Sequence, residues 1–167
     1  KQTPGSVVTS SIEGSRPILL EVQALVTPSN FGYPQRVSNG FDQKRLSILL
    51  AVLEKRASVR ASVNNVFVNV AGGIRVIEPA VDLAVCVSIA SSLTDKIVDN
   101  QTIILGEVGL GGEIRSVGYI EKRIAEAQKL GFKTAVVPIG NMKNLKVSSF
   151  IKIIPVENVK DAIEKLL

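Results

Sequence analysis

The chain predicts a mixed α/β (α+β) sandwich with helices packed on mixed sheets, and three observations point there. β-rich runs alternate with helical patterns along most of the sequence. Two hairpins accompany that alternation, which argues against an all-β or an all-α domain. Finally, 167 residues with 46% hydrophobic content are enough for one well-filled core and too few to demand two. Residues 1–5 read as a linker and residues 6–167 as a single domain. The chain starts at Lys1 without an initiator methionine, and Gln2-Thr3-Pro4-Gly5 is turn-prone, so the sequence reads as part of something longer.

The elements follow in order. Ser6–Ile12 and Pro17–Val26 are β-rich runs joined by Glu13-Gly14-Ser15-Arg16, which makes a hairpin. Pro28 to Gly40 is studded with breakers and reads as one long loop, a length that usually serves function. Asp42 is placed to cap a helix running to about Ala57, whose Leu46, Leu49, Leu50 and Leu53 share a buried face. Val66–Val70 is a strand ended by Gly72-Gly73. Pro79 suits the first turn of the next helix, where its missing N–H costs nothing, and the apolar run Leu83 to Leu93 forms the body of that helix. Thr102–Val108 reads as one strand, followed by glycines 109, 111 and 112 and a second hairpin into Glu113–Val117. A helix from Tyr119 to Leu130 stops at Gly131, Thr134–Pro138 and Ile151–Pro155 are strands, and Asn158–Leu167 is a closing amphipathic helix.

Composition removes several function classes. There is no histidine, so Ser-His-Asp and Cys-His catalysis and histidine metal sites are excluded. Cys86 is the only cysteine; it has no partner for a disulfide and sits in an apolar run as an inert buried thiol, which fits a reducing, cytoplasmic setting. No apolar run reaches the ~20 residues that span a bilayer. A net charge of +5 favours an anionic partner such as nucleic acid, while 4% aromatic content with no tryptophan disfavours a base-stacking platform. Two glycine-rich stretches mislead. Gly131-Phe132-Lys133-Thr134 lacks the upstream glycine and the strand-loop-helix order of a phosphate loop, and Gly106 to Gly112 leads into a hairpin instead of a helix.

Val68-Asn69-Val70-Ala71-Gly72-Gly73, followed by Glu78-Pro79-Ala80-Val81-Asp82 at a helix start, resembles the active-site region of Lon-type serine proteases. The resemblance puts the nucleophile position at Ala80 and the catalytic lysine position at Arg123. A Ser/Lys dyad needs a hydroxyl to attack and an amine that burial has made basic. Alanine lacks the first, and arginine stays protonated and cannot serve as the second. Lys122 is turned roughly 100° away on the same helix, and Ser88, Ser91 and Ser92 lie further along the helix, where hydroxyls bond to backbone or face solvent. Glu78 and Asp82 flank Ala80, and Arg123 is expected to pair with one of them in a structural ion pair.

Within Lon-like domains one branch is more similar still. Arg16-Pro17, Glu21 to Val26, Phe31-Gly32, Arg36, Gly40 with Asp42, Arg45-Leu46, Leu50 to Arg56, Asn69 to Gly73 and Gly106 to Leu110 resemble the C-terminal domain of the bacterial RadA (Sms) family of DNA-repair proteins over essentially the whole chain. The resemblance implies a Lon protease C-terminal domain-like fold without proteolytic activity. It also implies that a preceding zinc module and RecA-like ATPase, using ATP and magnesium, would make the full protein a hexameric ring that assists the RecA recombinase in branch migration. No cofactor or metal is expected in this chain itself.

Read from the residues, the side chains best placed to touch phosphate are Arg16 in the hairpin turn, Arg36 in the long loop, Lys44 and Arg45 at the helix start, Arg75 after the double glycine and Arg115 in the second hairpin. Two functions follow: a domain that binds single-stranded or branched DNA and assembles into a homo-hexamer, or a purely structural oligomerisation domain without DNA contact.

Overall fold

A computed structural model describes residues 2–167. A seven-stranded mixed sheet forms its centre, in the order β3-β4-β2-β1-β5-β8-β9. These strands are β1 (Ser6–Glu13), β2 (Arg16–Thr27), β3 (Arg36–Asn39), β4 (Asn65–Val70), β5 (Thr102–Ile104), β8 (Thr134–Pro138) and β9 (Lys152–Val156). β1, β2 and β4 are joined antiparallel, and the remaining neighbours run parallel. The hairpin expected from the first two runs is therefore one of two antiparallel pairings in an otherwise parallel sheet. A separate ribbon pairs β6 (Glu107–Val108) with β7 (Ile114–Arg115).

Helices α1 (Gln43–Ala57), α2 (Asp82–Thr94) and α4 (Val159–Leu166) pack on one face of the sheet, and α3 (Ile120–Lys129) packs on the other. α2 is buried from Asp82 to Ser92 without a polar face, as expected of a helix held between the sheet and other helices. Its serines all bond to backbone. Ser88 Oγ donates to Val85 O at 2.8 Å, Ser91 Oγ donates to Lys96 O and accepts from Gly5 N at 2.8 Å, and Ser92 Oγ accepts from Val26 N at 2.9 Å. Gly5, in the expected linker, is thus tied to the domain by its N–H and also by its carbonyl, which accepts from Ala24 N at 2.9 Å.

Local signals at the helix ends act as the sequence implies. Asp42 accepts from Arg45 N at 2.9 Å, and Asn158 accepts from Asp161 N at 2.8 Å. Two segments differ. The expected loop Pro28 to Gly40 contains β3, which pairs parallel with β4. Nothing local marks this strand, because its ladder comes entirely from β4. Its free edge is covered by Gln43, whose carboxamide accepts from Ser38 N at 3.0 Å and donates to Arg36 O. One side chain thereby satisfies the backbone groups that would otherwise template another strand. The expected single strand Thr102–Val108 is also split. At Gly106 the chain leaves the sheet and is wedged between β7 and α2, where a Cβ would lie 2.7 Å from Ile114 Cγ2 and 3.3 Å from Leu83 Cβ.

Candidate functional site

That crossing holds the start of α2. Gly106 N donates to Ala80 O at 2.9 Å, and Leu83 N donates to Gly106 O at 3.0 Å. Pro79–Val81 form a single 3-10 turn leading into the helix, with Pro79 at its first position as expected. Ala80 is buried among Ile103, Leu105, Val117 and Ile124. A small cavity of about 140 Å³ opens beside it, lined by Glu78, Pro79, Ala80, Glu107, Ser116, Val117, Gly118 and Arg123. The two positions singled out by the Lon resemblance therefore share one cavity.

Arg123 is only 1% exposed, and its guanidinium makes four hydrogen bonds. Nη1 and Nη2 donate to Glu78 Oε1 and Oε2 at 2.6 and 2.7 Å, a bidentate pair. Nη1 also donates to Ser10 O at 2.7 Å, and Nε donates to Gly118 O at 2.8 Å. Glu78 Oε1 further accepts from Ile12 N at 3.1 Å, so the pair ties α3, β1 and the approach to α2 together. Of the two carboxylates flanking Ala80, Glu78 takes Arg123. Lys122 is exposed, with its Nζ 5.6 Å from the Tyr119 ring centroid.

Asp82 has a different partner. Its buried carboxylate accepts from Arg45 Nε at 3.2 Å, from Arg45 Nη2 and from Val108 N at 3.1 Å, while Arg45 Nη2 also donates to Val108 O at 2.9 Å. Burial pushes the Asp82 carboxyl above its usual range, against the pull of Arg45 and the Val108 N–H. Arg45 is raised chiefly by its bond to Asp82. The two directions favour opposite charge states at Asp82. Its complete burial explains this: the desolvation cost falls on the carboxylate, while Arg45, 30% exposed, keeps part of its hydration. The sequence gives no local sign of this pair, since its residues lie 37 positions apart on two helices.

The basic residues are dispersed. Arg16 is exposed at the hairpin turn, and Lys44 on the first turn of α1. Arg75 is exposed and lines a cleft of about 280 Å³ with Arg45, but the cleft also carries Asp42, Glu78 and Asp82. Arg36 is half-buried, its Nη2 3.4 Å from Ser62 O. Arg115 pairs with exposed Glu113 at 3.1 Å. Only Arg45 and Arg75 are brought into one cleft, and the fork of Arg45 is already taken. Cys86 is fully buried, and burial raises its thiol far above the ordinary range, leaving it in the unreactive form. Among the described residues no group of three or more Cys, Asp or Glu side chains is placed to hold a metal ion, and no helix is long and apolar enough to cross a membrane.

Comparison with known proteins adds the relationship. Residues 41–141 match the family model ChlI, described as subunit ChlI of Mg-chelatase. The chain is 49% identical over 164 residues to the DNA repair protein RadA of Aquifex aeolicus, covering 98% of this chain and 36% of that protein. It is 46% identical over 163 residues to RadA of Halalkalibacterium halodurans and 45% identical over 163 residues to RadA of Bacillus subtilis, in each case covering 98% of this chain and 36% of the relative. The chain thus spans about a third of the length of these relatives. Because the family model matches more than half of its residues, the chain belongs to the ChlI family, and over nearly its whole length it is homologous to part of RadA.

Proposed function

We propose that this chain is a non-proteolytic, Lon-like domain of a DNA-repair protein, whose protease frame serves to hold DNA and neighbouring copies in a hexameric ring. The observation that carries the reading is the Ala80 cavity. Its nucleophile position offers a methyl group, and its base position is a guanidinium already committed to Glu78, Ser10 O and Gly118 O. Neither position supplies what a Ser/Lys dyad needs, a hydroxyl to attack a carbonyl and an amine to take its proton, so function is sought on the surface. Similarity to proteins named for DNA repair supports DNA as the partner, as does the net charge of +5.

In this reading Arg16, Lys44 and Arg75 make the main phosphate contacts. Arg36 and Arg115 join them by exchanging weak intramolecular bonds for phosphate, and Arg45 contributes least because Asp82 holds it. ATP, magnesium and zinc chemistry, the RecA partnership, branch migration and a cytoplasmic setting belong to the longer protein that the relatives' length implies.

Anisotropy of a labelled oligonucleotide, titrated with salt, tests this function. Wild type is expected to bind with affinity that falls steeply with salt, and Arg16→Ala/Lys44→Ala/Arg75→Ala/Arg115→Ala is expected to bind weakly with a slope shallower by about 0.9 per lost duplex phosphate contact. Unchanged binding by that variant sinks the assignment. Concentration-dependent self-association without DNA affinity would instead favour the purely structural oligomerisation domain. Neither fluorophosphonate labelling nor casein cleavage is expected.

A further inference from the structure

The structure points to loop 28–35 as a base-stacking element for unpaired DNA, and this inference rests on the DNA reading above. Phe31 and Tyr33 are 93% and 95% exposed, the most open of the large apolar side chains. Scattered single apolar residues on a surface are ordinary, but two aromatic rings within three residues, both almost wholly in water, form a presented pair. Their loop is closed at its root by one side chain. Asn65 Nδ2 donates to Pro28 O at 3.2 Å, and Asn65 Oδ1 accepts from Gln35 N at 2.8 Å. Between the rings Gly32 takes φ +67°, and a Cβ there would meet nothing within 4 Å. The rings thus stand on a projecting, tied loop with no part of the fold covering them.

Charge selects the occupant. No carboxylate occurs between Glu21 and Asp42. Arg36 follows the loop directly and reaches Ser62 O, bringing it to the 3-10 turn Ala61–Val63, which Arg60 precedes. Arg60 is 74% exposed and only loosely paired with Glu54, at 3.8 Å. Two exposed aromatic rings on a loop that carries no acid and runs directly into Arg36 suit a polyanion that also carries flat apolar faces. Single-stranded DNA has both, whereas a duplex hides its base faces in the stack. The low aromatic content of the whole chain conceals this, because what matters is where two rings are placed.

The chain has no tryptophan, so Phe31→Trp supplies a single indole reporter. Oligothymidine is expected to quench it, and an abasic oligonucleotide of equal length is expected not to. Phe31→Ala/Tyr33→Ala should weaken oligothymidine binding by roughly tenfold, given the usual worth of a stacked base, while duplex affinity, salt slope and urea midpoint stay as in wild type. Equal losses on duplex and single strand, equal quenching by abasic DNA, or no loss at all would overturn the stacking role. If the double variant turns an oligomer into a monomer with DNA affinity unchanged, the loop is a protein interface and the inference fails. Should wild type bind no DNA of either kind, both this inference and the DNA reading fall; binding of wild type with an unaffected double variant removes only the loop.

Discussion

Two ion pairs flank the start of α2, and they are built in opposite senses. In Glu78–Arg123 the arginine is sealed in, and the carboxylate is 26% exposed. In Arg45–Asp82 the carboxylate is sealed in, and the arginine keeps contact with solvent. The difference teaches which partner each pair cannot lose. A buried charge without its partner is costly, whereas a half-exposed one can be rehydrated. The buried members also differ chemically, because a carboxyl can escape its cost by taking a proton and a guanidinium cannot.

The sharpest way to break this comparison is Glu78→Ala, which strands Arg123. It is expected to cost about 3–5 kcal/mol, read as a lowered urea midpoint at unchanged m, with most of the loss recovered when Arg123→Met is added. A cost no greater than that of a surface substitution would show the pair to be dispensable. Arg45→Ala strands Asp82 and is expected to cost about 2–4 kcal/mol near neutrality. Here the sign with pH matters. Burial raises the folded pKa of Asp82 above its unfolded value, so the folded state holds the proton more tightly and stability falls as pH rises between those two values. Removing Arg45 removes the main opposing influence and widens that interval upward. Its deficit against wild type should therefore narrow on acidification, while the Glu78→Ala deficit should show no such recovery, because adding protons cannot neutralise a guanidinium. Denaturation at several pH values separates the two; parallel deficits would refute the argument.

Arg123→Met alone sharpens the same point from the other side. It leaves Glu78 partly hydrated and still bonded to Ile12 N, and it strips donors from Ser10 O and Gly118 O. A loss of about 1–2 kcal/mol is expected, smaller than for Glu78→Ala, and the reverse order would contradict the burial asymmetry. The smallest effect is at Ser10, whose buried Oγ is without a partner among the described residues. Ser10→Ala should leave the urea midpoint unchanged or raise it, by up to about 1 kcal/mol; a clear fall would mean that the hydroxyl has an acceptor.

Much of the fold was legible because it is written in short-range signals. Asp42 and Asn158 cap their helices, the apolar run in α2 is buried from Leu83 to Ser92, and the β1–β2 hairpin forms at its turn. β3 was not legible, since its four residues are a strand only through β4 and the Gln43 side chain. The break at Gly106 was equally hidden, because it arises from the close passage of the chain over Leu83 and Ile114. At the site, the Lon resemblance marked Ala80 and Arg123, and the residues around Ala80 offered Glu78 and Asp82 as partners. It left the choice between them open.

By itself the sequence determined the chemistry that can be present: no histidine, one cysteine in an apolar run, a methyl group where the Lon resemblance places a nucleophile and a guanidinium where it places a base. Those are properties of composition and order, and no fold can change them. Only the tertiary structure decided that Glu78 takes Arg123 while Asp82 takes Arg45, that Arg45 is spent inside the fold, and that Asn65 closes the loop presenting Phe31 and Tyr33. The physical reason is that a pairing depends on burial and on distances across 30 or more residues, and helical or strand periodicity carries information over only a few.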